Sequence, residues 1–169
     1  MASAIAKDLR SKSDAALTEL TQQLQGMEPF MERPDASGEW TTREVLSHLL
    51  GAPGENPVDL LKIFATPDLP VIDLDPGVTH LSDGRRRMML GQFLDGLDAQ
   101  RKTALAYVDG LSDADLEQRK ARIPVLKQFV ATDEFSIAMF AGALFDGHWR
   151  DHAGQIAKIR KAVGLPEAK

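Results

Sequence analysis

Apolar residues recur at alternating intervals of about four and three along the last third of the chain, which is the spacing of a helix that packs in a bundle. The segment Thr132–Glu134 offers a capping hydroxyl and two carboxylates, as a helix N-terminus does, while Gly164 and Pro166 are typical of a helix end. The pattern predicts one long helix over residues 132–163 with a buried seam. That seam comprises Ala138, Gly142, Phe145, Trp149, His152, Ile156, Ile159 and Val163.

Three earlier segments have the same helical periodicity. Residues 3–32 predict a first helix, and residues 83–110 predict a third. Thr41 and Glu44 have the spacing of a capping box, so a second helix is expected to begin there and to end before the Gly51–Gly54 interruption. We therefore expect an all-α fold, a four-helix bundle with a long crossover loop between helices two and three.

The remaining segments are expected to be connections. Residues 58–65 predict a short helical piece, and the proline-rich residues 66–82 predict the crossover loop over one end of the bundle. Residues 112–115 predict a short capped turn, and residues 120–131 a short extended piece or a turn. Without an internal repeat or a low-complexity tract, residues 1–169 are expected to form a single domain.

Composition excludes several classes of function. The chain has a net charge of −5, which argues against nucleic acid and anionic membrane as partners, and it has no cysteine for disulfides or thiolate sites. Its apolar runs are too short to span a bilayer, and no signal peptide is evident, so a cytoplasmic location is expected. The hydrophobic fraction of 43% is enough for a sizeable core.

Three histidines have the arrangement of candidate metal ligands. His148 and His152 lie four residues apart, so a helix projects both from one face, and His152 lies in the predicted seam. His48 lies beside the apolar face of the second helix and is the best candidate for a third ligand. A catalytic zinc-like ion is held by three protein ligands and keeps a fourth position open. The alternative for each is a core or surface histidine with ordinary hydrogen bonds.

Other polar and aromatic residues have competing interpretations. For Glu44 the capping box is favoured over a role in orienting His48, and Gln155 is as consistent with helix packing as with lining a site. Trp40 and Trp149 are better explained as bundle aromatics than as ligand contacts, and Asp151 as a solvated charge. His80 lies in the crossover loop, where the absence of a role is favoured over a mobile fourth ligand.

Two stretches resemble the DinB-like superfamily. The first stretch, which resembles the second helix of that family, is Trp40 followed after seven residues by His48–Leu49–Leu50. The second stretch resembles the family's fourth helix and runs from His148 through His152–Ala–Gly–Gln155 to Gly164. The resemblance covers nearly the whole chain in helix order. It implies a four-helix bundle with a three-histidine site for nickel or zinc at His48, His148 and His152, in a homodimer. Members include enzymes that use mycothiol or bacillithiol, such as S-transferases and a maleylpyruvate isomerase.

The leading hypothesis is a metal-dependent enzyme acting on a small molecule. The ion would hold a water or a low-molecular-weight thiol and lower its pKa, for transfer or hydrolysis. Arg101, in the middle of the third seam, either extends its head to solvent or lies in a pocket. In a pocket it would pair with a carboxylate or bind the anionic group of a thiol cofactor. The alternatives are a non-catalytic metal-binding bundle, acting as sensor, scavenger or metal-stabilised fold, and an interaction domain with a vestigial site.

Overall fold

Four helical segments form the body of the molecule, and the prediction of an all-α four-helix bundle is confirmed. The structure, a computed structural model, describes residues 2–168. The four segments are α1, α2, α5 and the run from α7 to α8. The helices are α1 Ala4–Leu24, α2 Thr42–Leu49, α3 Pro57–Ile63, α4 Asp83–Arg86, α5 Leu90–Asp109, α6 Asp113–Gln118, α7 Ile137–Gly142 and α8 His148–Ala162.

Several short elements complete the chain. Two 3₁₀-helices cover Glu28–Phe30 and Pro124–Gln128, and a π-helical turn, Ala143–Gly147, joins α7 to α8. Strands β1 (Lys120–Arg122) and β2 (Glu134–Ser136) pair antiparallel, with Ala121 opposite Phe135. Within residues 2–168, no helix has both the length and the apolar character required to cross a membrane.

The core lies where α1 packs against α8 and α5, and where α2 packs against α8. These helices completely bury several large apolar side chains. Removing those side chains from water is the main favourable contribution to folding. Those side chains include Leu20 and Leu24 of α1, Leu46 of α2, Phe93, Leu97 and Leu105 of α5, and Trp149 of α8.

The first helix is shorter than the expected 3–32. It ends at Leu24 because Gly26 adopts a left-handed backbone conformation (φ 77°), which a glycine accepts without steric cost and which stops a right-handed helix. Met27 and Met31 stay buried beyond that end, so the apolar spacing continues although the helix does not.

The expected third helix, 83–110, is divided into α4 and α5. Met89 is extended at the break (ψ 158°), and the carbonyl oxygens of Arg85 and Met88 accept hydrogen bonds from Nη1 of Arg43 at 3.0 and 2.6 Å. A buried guanidinium on α2 therefore satisfies backbone groups that a continuous helix would have bonded internally. The periodicity of residues 83–110 gave no sign of this long-range contact.

The prediction that the fourth helix begins at Thr132–Glu134 is wrong. Glu134 belongs to β2, and the helix begins after Ser136, whose side chain accepts a hydrogen bond from the backbone amide of Met139. The Thr132 hydroxyl does accept from an amide, that of Glu134, but within a turn. Hydroxyls make the same local bond in turns and at helix starts, which explains the error.

The seam of the fourth helix also changes phase at the π turn. The seam residues Phe145, Trp149, His152, Ile156 and Ile159 are buried as expected, but Val163, after the end of α8, is only partly buried. In α7 the buried residues are Ile137, Phe140 and Ala141, while the predicted Ala138 and Gly142 are only partly buried. A π turn has i to i+5 hydrogen bonds, so it takes more residues per turn than an α-helix and rotates the preceding residues relative to the following ones. The π turn ends directly before His148.

The crossover between α3 and α4 is largely extended, as expected for residues 66–82. Val71 forms an isolated bridge with Arg122 of β1, and the backbone amide of Ile72 donates to the carbonyl of Arg122 at 2.8 Å. The loop then passes over the C-terminal end of α2 on its way to α4, which brings Val78 to His48.

Candidate metal centre

The three histidines singled out in the sequence converge on one point. Nε2 of His148 lies 3.0 Å from Nε2 of His48 and 3.0 Å from Nε2 of His152. His48 comes from the last turn of α2, and the other two come from the first turns of α8, so two helices distant in sequence build the cluster. His48 and His152 are each 9% exposed, and His148 is half-buried.

The outer ring nitrogens of two of these histidines have fixed acceptors. Nδ1 of His48 donates to the carbonyl oxygen of Val78 at 2.8 Å, and Nδ1 of His152 donates to Oε1 of Gln155 at 2.8 Å. Because a neutral imidazole carries one proton, a protonated Nδ1 leaves Nε2 as a bare acceptor. Both Nε2 lone pairs therefore face inward, the arrangement that metal-binding imidazoles have.

All three imidazoles are held in the neutral state. Burial lowers the pKa of His48 and that of His152 below the usual 6.5. Burial, with smaller contributions from His152 and His48, lowers the pKa of His148 to about 3. Removal from water disfavours the imidazolium, so at neutral pH the cluster offers uncharged nitrogen ligands.

This donor set fits a divalent cation. His148 can donate a single Nε2 proton to one neighbour at most, so at least one inward lone pair has no hydrogen to accept within the cluster. A tetrahedral ion with bonds of about 2.0–2.1 Å separates its ligand nitrogens by roughly 3.3–3.4 Å, close to the observed spacing. Among residues 2–168 the cluster contains these three side chains and no carboxylate, which leaves room for a non-protein ligand.

An aromatic side chain forms one wall of the cluster. The ring of Trp40 lies 5.0 Å from that of His48, and it stacks on His152 at 6.3 Å with an interplanar angle of 7°. Trp149, in contrast, is 2% exposed and packs against Phe145 in the core. The interpretation of both tryptophans as bundle aromatics holds for Trp149, but it missed the contact of Trp40, whose position before the second helix gave no periodic signal.

The other candidates have separate roles. Glu44 forms the expected capping box, accepting from the Thr41 amide at 2.8 Å, so the acceptor for His48 is the Val78 carbonyl instead. Asp151 is exposed, as expected. The side chain of His80 is outside the three-histidine cluster, although its residue has a left-handed backbone (φ 53°) close to the site.

Arg101 lies at the interface of α1 and α5. Its side chain is 7% exposed and forms ion pairs with Asp14 and Asp98, and its Nη1 donates to the Ser13 hydroxyl at 3.2 Å. The structure does not bring Arg101 into the histidine cluster, and two carboxylates balance its charge. Its role in binding a cofactor stays a prediction.

An open groove of about 340 Å³ is lined by Gln155, the residue that orients His152, but by none of the three histidines. Its other lining residues are polar or small, and acidic side chains outnumber the one lysine. The lining residues are Asp35, Glu39, Asp151, Gly154, Gln155 and Lys158. The side chain that orients His152 is therefore also in contact with a surface depression.

Comparison with known proteins identifies the fold. No protein-family model and no curated protein matches the chain. A solved structure titled "YfiT from Bacillus subtilis is a probable metal-dependent hydrolase with an unusual four-helix bundle topology" is similar, with a TM-score of 0.74 and 18% identity over 95% of this chain and 89% of that one. A protein from Streptococcus pneumoniae is similar at a TM-score of 0.62 and 14% identity, over 94% and 91%. The likeness to YfiT shows that the two chains share a four-helix bundle fold.

Proposed function

We propose that this chain is a metal-dependent enzyme of the DinB-like superfamily, in which His48, His148 and His152 hold a divalent ion and a small molecule is hydrolysed or receives a thiol. The observation that carries the proposal is the convergence of three neutral Nε2 atoms, two of them with their lone pairs directed inward. A bound ion of this kind supplies Lewis acidity, which lowers the pKa of a water or thiol beside it.

The residues around the site prepare it for that chemistry. The Val78 carbonyl and Gln155 hold two rings in the orientation and tautomer that a metal requires, before any ion binds. Trp40 covers the cluster on one side and so limits the access of water there. With three ligands and no carboxylate in the described cluster, a bound ion would keep enough charge and enough space for a reacting ligand.

Hydrolysis is the better supported of the two reactions. The YfiT structure is described as a probable metal-dependent hydrolase, whereas thiol transfer rests on the sequence resemblance. If a thiol cofactor is used, we propose that its anionic group binds near Arg101. We propose zinc or nickel as the ion because the DinB-like resemblance implies one of them; imidazole nitrogen alone suits iron and copper equally well.

The alternative is a bundle that binds metal without catalysis. A structural site is usually closed by a fourth protein ligand. The described cluster has three histidine ligands and no fourth protein ligand, which favours the enzyme.

Turnover tests the proposal. Untagged protein would be stripped with a chelator, reloaded with zinc or nickel, and assayed against ester, amide and lactone substrates, with and without a panel of thiols. The enzyme predicts turnover that disappears on stripping, returns on reloading and is absent in His148→Ala. Metal-loaded protein that binds one ion but turns over none of these substrates would support the non-catalytic alternative.

A further inference from the structure

Arg85 is a buried arginine whose contacts are all with uncharged oxygens. The residue is 9% exposed, and its Nη1 lies within hydrogen-bond distance of the carbonyls of Ser47 (2.8 Å), Gly51 (2.5 Å) and His80 (3.3 Å), and of the Ser47 hydroxyl (3.2 Å). A buried cation normally pairs with an anion. For Arg85, the partner is instead the group of carbonyls at the C-terminal end of α2, which is the negative end of the helix dipole.

The same guanidinium joins two parts of the molecule. Ser47 and Gly51 flank the end of α2, the helix that carries His48, while His80 belongs to the crossover loop. The backbone of Arg85 is itself held in place, because its carbonyl oxygen accepts a hydrogen bond from Nη1 of Arg43 at 3.0 Å. Arg85 is thus a fixed contact between the loop and the helix next to it.

Residues 73–81 have few other hydrogen bonds. In the described structure they form no hydrogen bond between backbone groups, and their remaining bonds are an Asp75–Gly77 turn, the Val78 carbonyl to His48, and the His80 carbonyl to Arg85. His80 has a left-handed backbone (φ 53°), which costs energy in a residue other than glycine. That strained turn presents the His80 carbonyl to Arg85 and the Val78 carbonyl, two residues earlier, to His48.

We propose that Arg85 is a positioning residue of the metal centre: it holds residues 78–80 against the end of α2, so that the Val78 carbonyl accepts the Nδ1 proton of His48 and directs Nε2 of His48 inward. The inference rests on the proposed function for its consequence, which is a tighter metal site. Its structural part, the tautomer of His48, can be measured without metal.

The test compares Arg85→Met with Arg160→Met. Arg160 is a matched control, since it is 7% exposed and also binds carbonyls, those of Pro166 (2.6 Å), Gln23 (3.2 Å) and Gln25, two turns beyond His152. Zinc affinity would be measured by competition with a chromophoric chelator. Loss of an outer partner typically weakens binding 10- to 100-fold, which is the result expected for Arg85→Met, against less than threefold for Arg160→Met.

A second readout separates positioning from general destabilisation. Nitrogen-15 NMR of the zinc-free imidazoles reports which ring nitrogen carries the proton. In wild type and Arg160→Met, His48 is expected as the Nδ1–H tautomer; in Arg85→Met, a mixture of both tautomers is expected. If Arg85→Met does not fold, Arg85→Gln takes its place, because its shorter, uncharged side chain removes the Nη1 group that contacts both segments.

The outcomes are distinguishable. Wild-type zinc affinity together with an unchanged His48 tautomer in the Arg85 variant would overturn the positioning role and leave the proposed function intact. A wild-type protein that binds neither zinc nor nickel would overturn the proposed function, and the tautomer measurement alone would then decide the role of Arg85.

Discussion

At the scale of single residues, the site depends on which ring nitrogen of each histidine carries the proton. His48 and His152 each donate outward from Nδ1, to Val78 and Gln155, and so present unprotonated nitrogens to His148. A cation bound between these closely packed neutral imidazoles would stabilise the folded protein, because their lone pairs point inward. An added proton would destabilise it, because it would place a charge in a buried site.

Acid is therefore expected to destabilise the metal-free protein. The pKa of His148 falls from 6.5 when unfolded to about 3 when folded, and burial lowers those of His48 and His152 as well. Between these values the unfolded chain binds more protons, so the free energy of unfolding decreases as the pH is lowered through 6.5 towards 3. Urea unfolding of chelator-treated protein at pH 7, 6, 5 and 4 measures this slope.

The control is His148→Gln, which removes the most strongly shifted group without adding a charge. Its free energy of unfolding is expected to fall less steeply over the same pH range. Equal slopes for the two proteins would show that His148 is not held neutral by the fold.

Gln155 is expected to strengthen metal binding through His152. Gln155→Leu removes the acceptor of the Nδ1 proton (2.8 Å), so zinc affinity is predicted to fall about 10- to 100-fold. Gln155→Glu keeps an acceptor oxygen and is predicted to retain affinity. Chelator competition measures both, and a leucine variant as tight as the wild type would contradict the role given to Gln155.

At the scale of elements, the start of α7 provides a direct comparison of two hydroxyls. Ser136→Ala removes the side chain that caps the Met139 amide, and a lost N-cap typically costs about 1 kcal/mol in the free energy of unfolding. Thr132→Ala removes a turn contact only, so a smaller loss is expected. Urea unfolding of the two variants would contradict the observed boundary if Thr132→Ala were the more costly change.

Helix faces away from the breaks were predictable from the sequence, but the breaks themselves were not, and the π turn made the predicted face of α7 wrong. The spacing of apolar residues placed His152 in a buried seam, and the structure has it 9% exposed. The break before α5 depends on Arg43, which is more than forty residues away from Met88, and the π turn before His148 has no periodic signature. Such features arise from tertiary contacts that local propensity does not encode.

At the scale of the whole molecule, the site joins distant parts of the chain. His48 meets His148 across one hundred residues, and the Val78 carbonyl reaches His48 across thirty. Residue type identified the three histidines, because imidazole is a specific signal. It could not identify Val78, which acts through a backbone carbonyl that every residue has, nor Arg85, whose partners are also carbonyls.

The oligomeric state of the protein is also a property of the whole molecule. The DinB-like resemblance predicts a homodimer, with a mass twice that of the 18.5 kDa chain. Light scattering coupled to size exclusion, at several protein concentrations and with or without zinc, measures that mass. A constant mass of one chain under all these conditions would contradict the expectation.

The metal content of untagged protein tests the central claim most directly. Elemental analysis of the wild type, His148→Ala and His152→Ala, purified in parallel without a histidine tag, measures the ions bound per chain. The account predicts about one divalent ion per wild-type chain and a clear loss of metal in both variants. Each variant lacks one of the three proposed ligands, and in the wild type Nε2 of His148 lies 3.0 Å from Nε2 of each of the other two. Equal trace amounts of metal in all three proteins would contradict it.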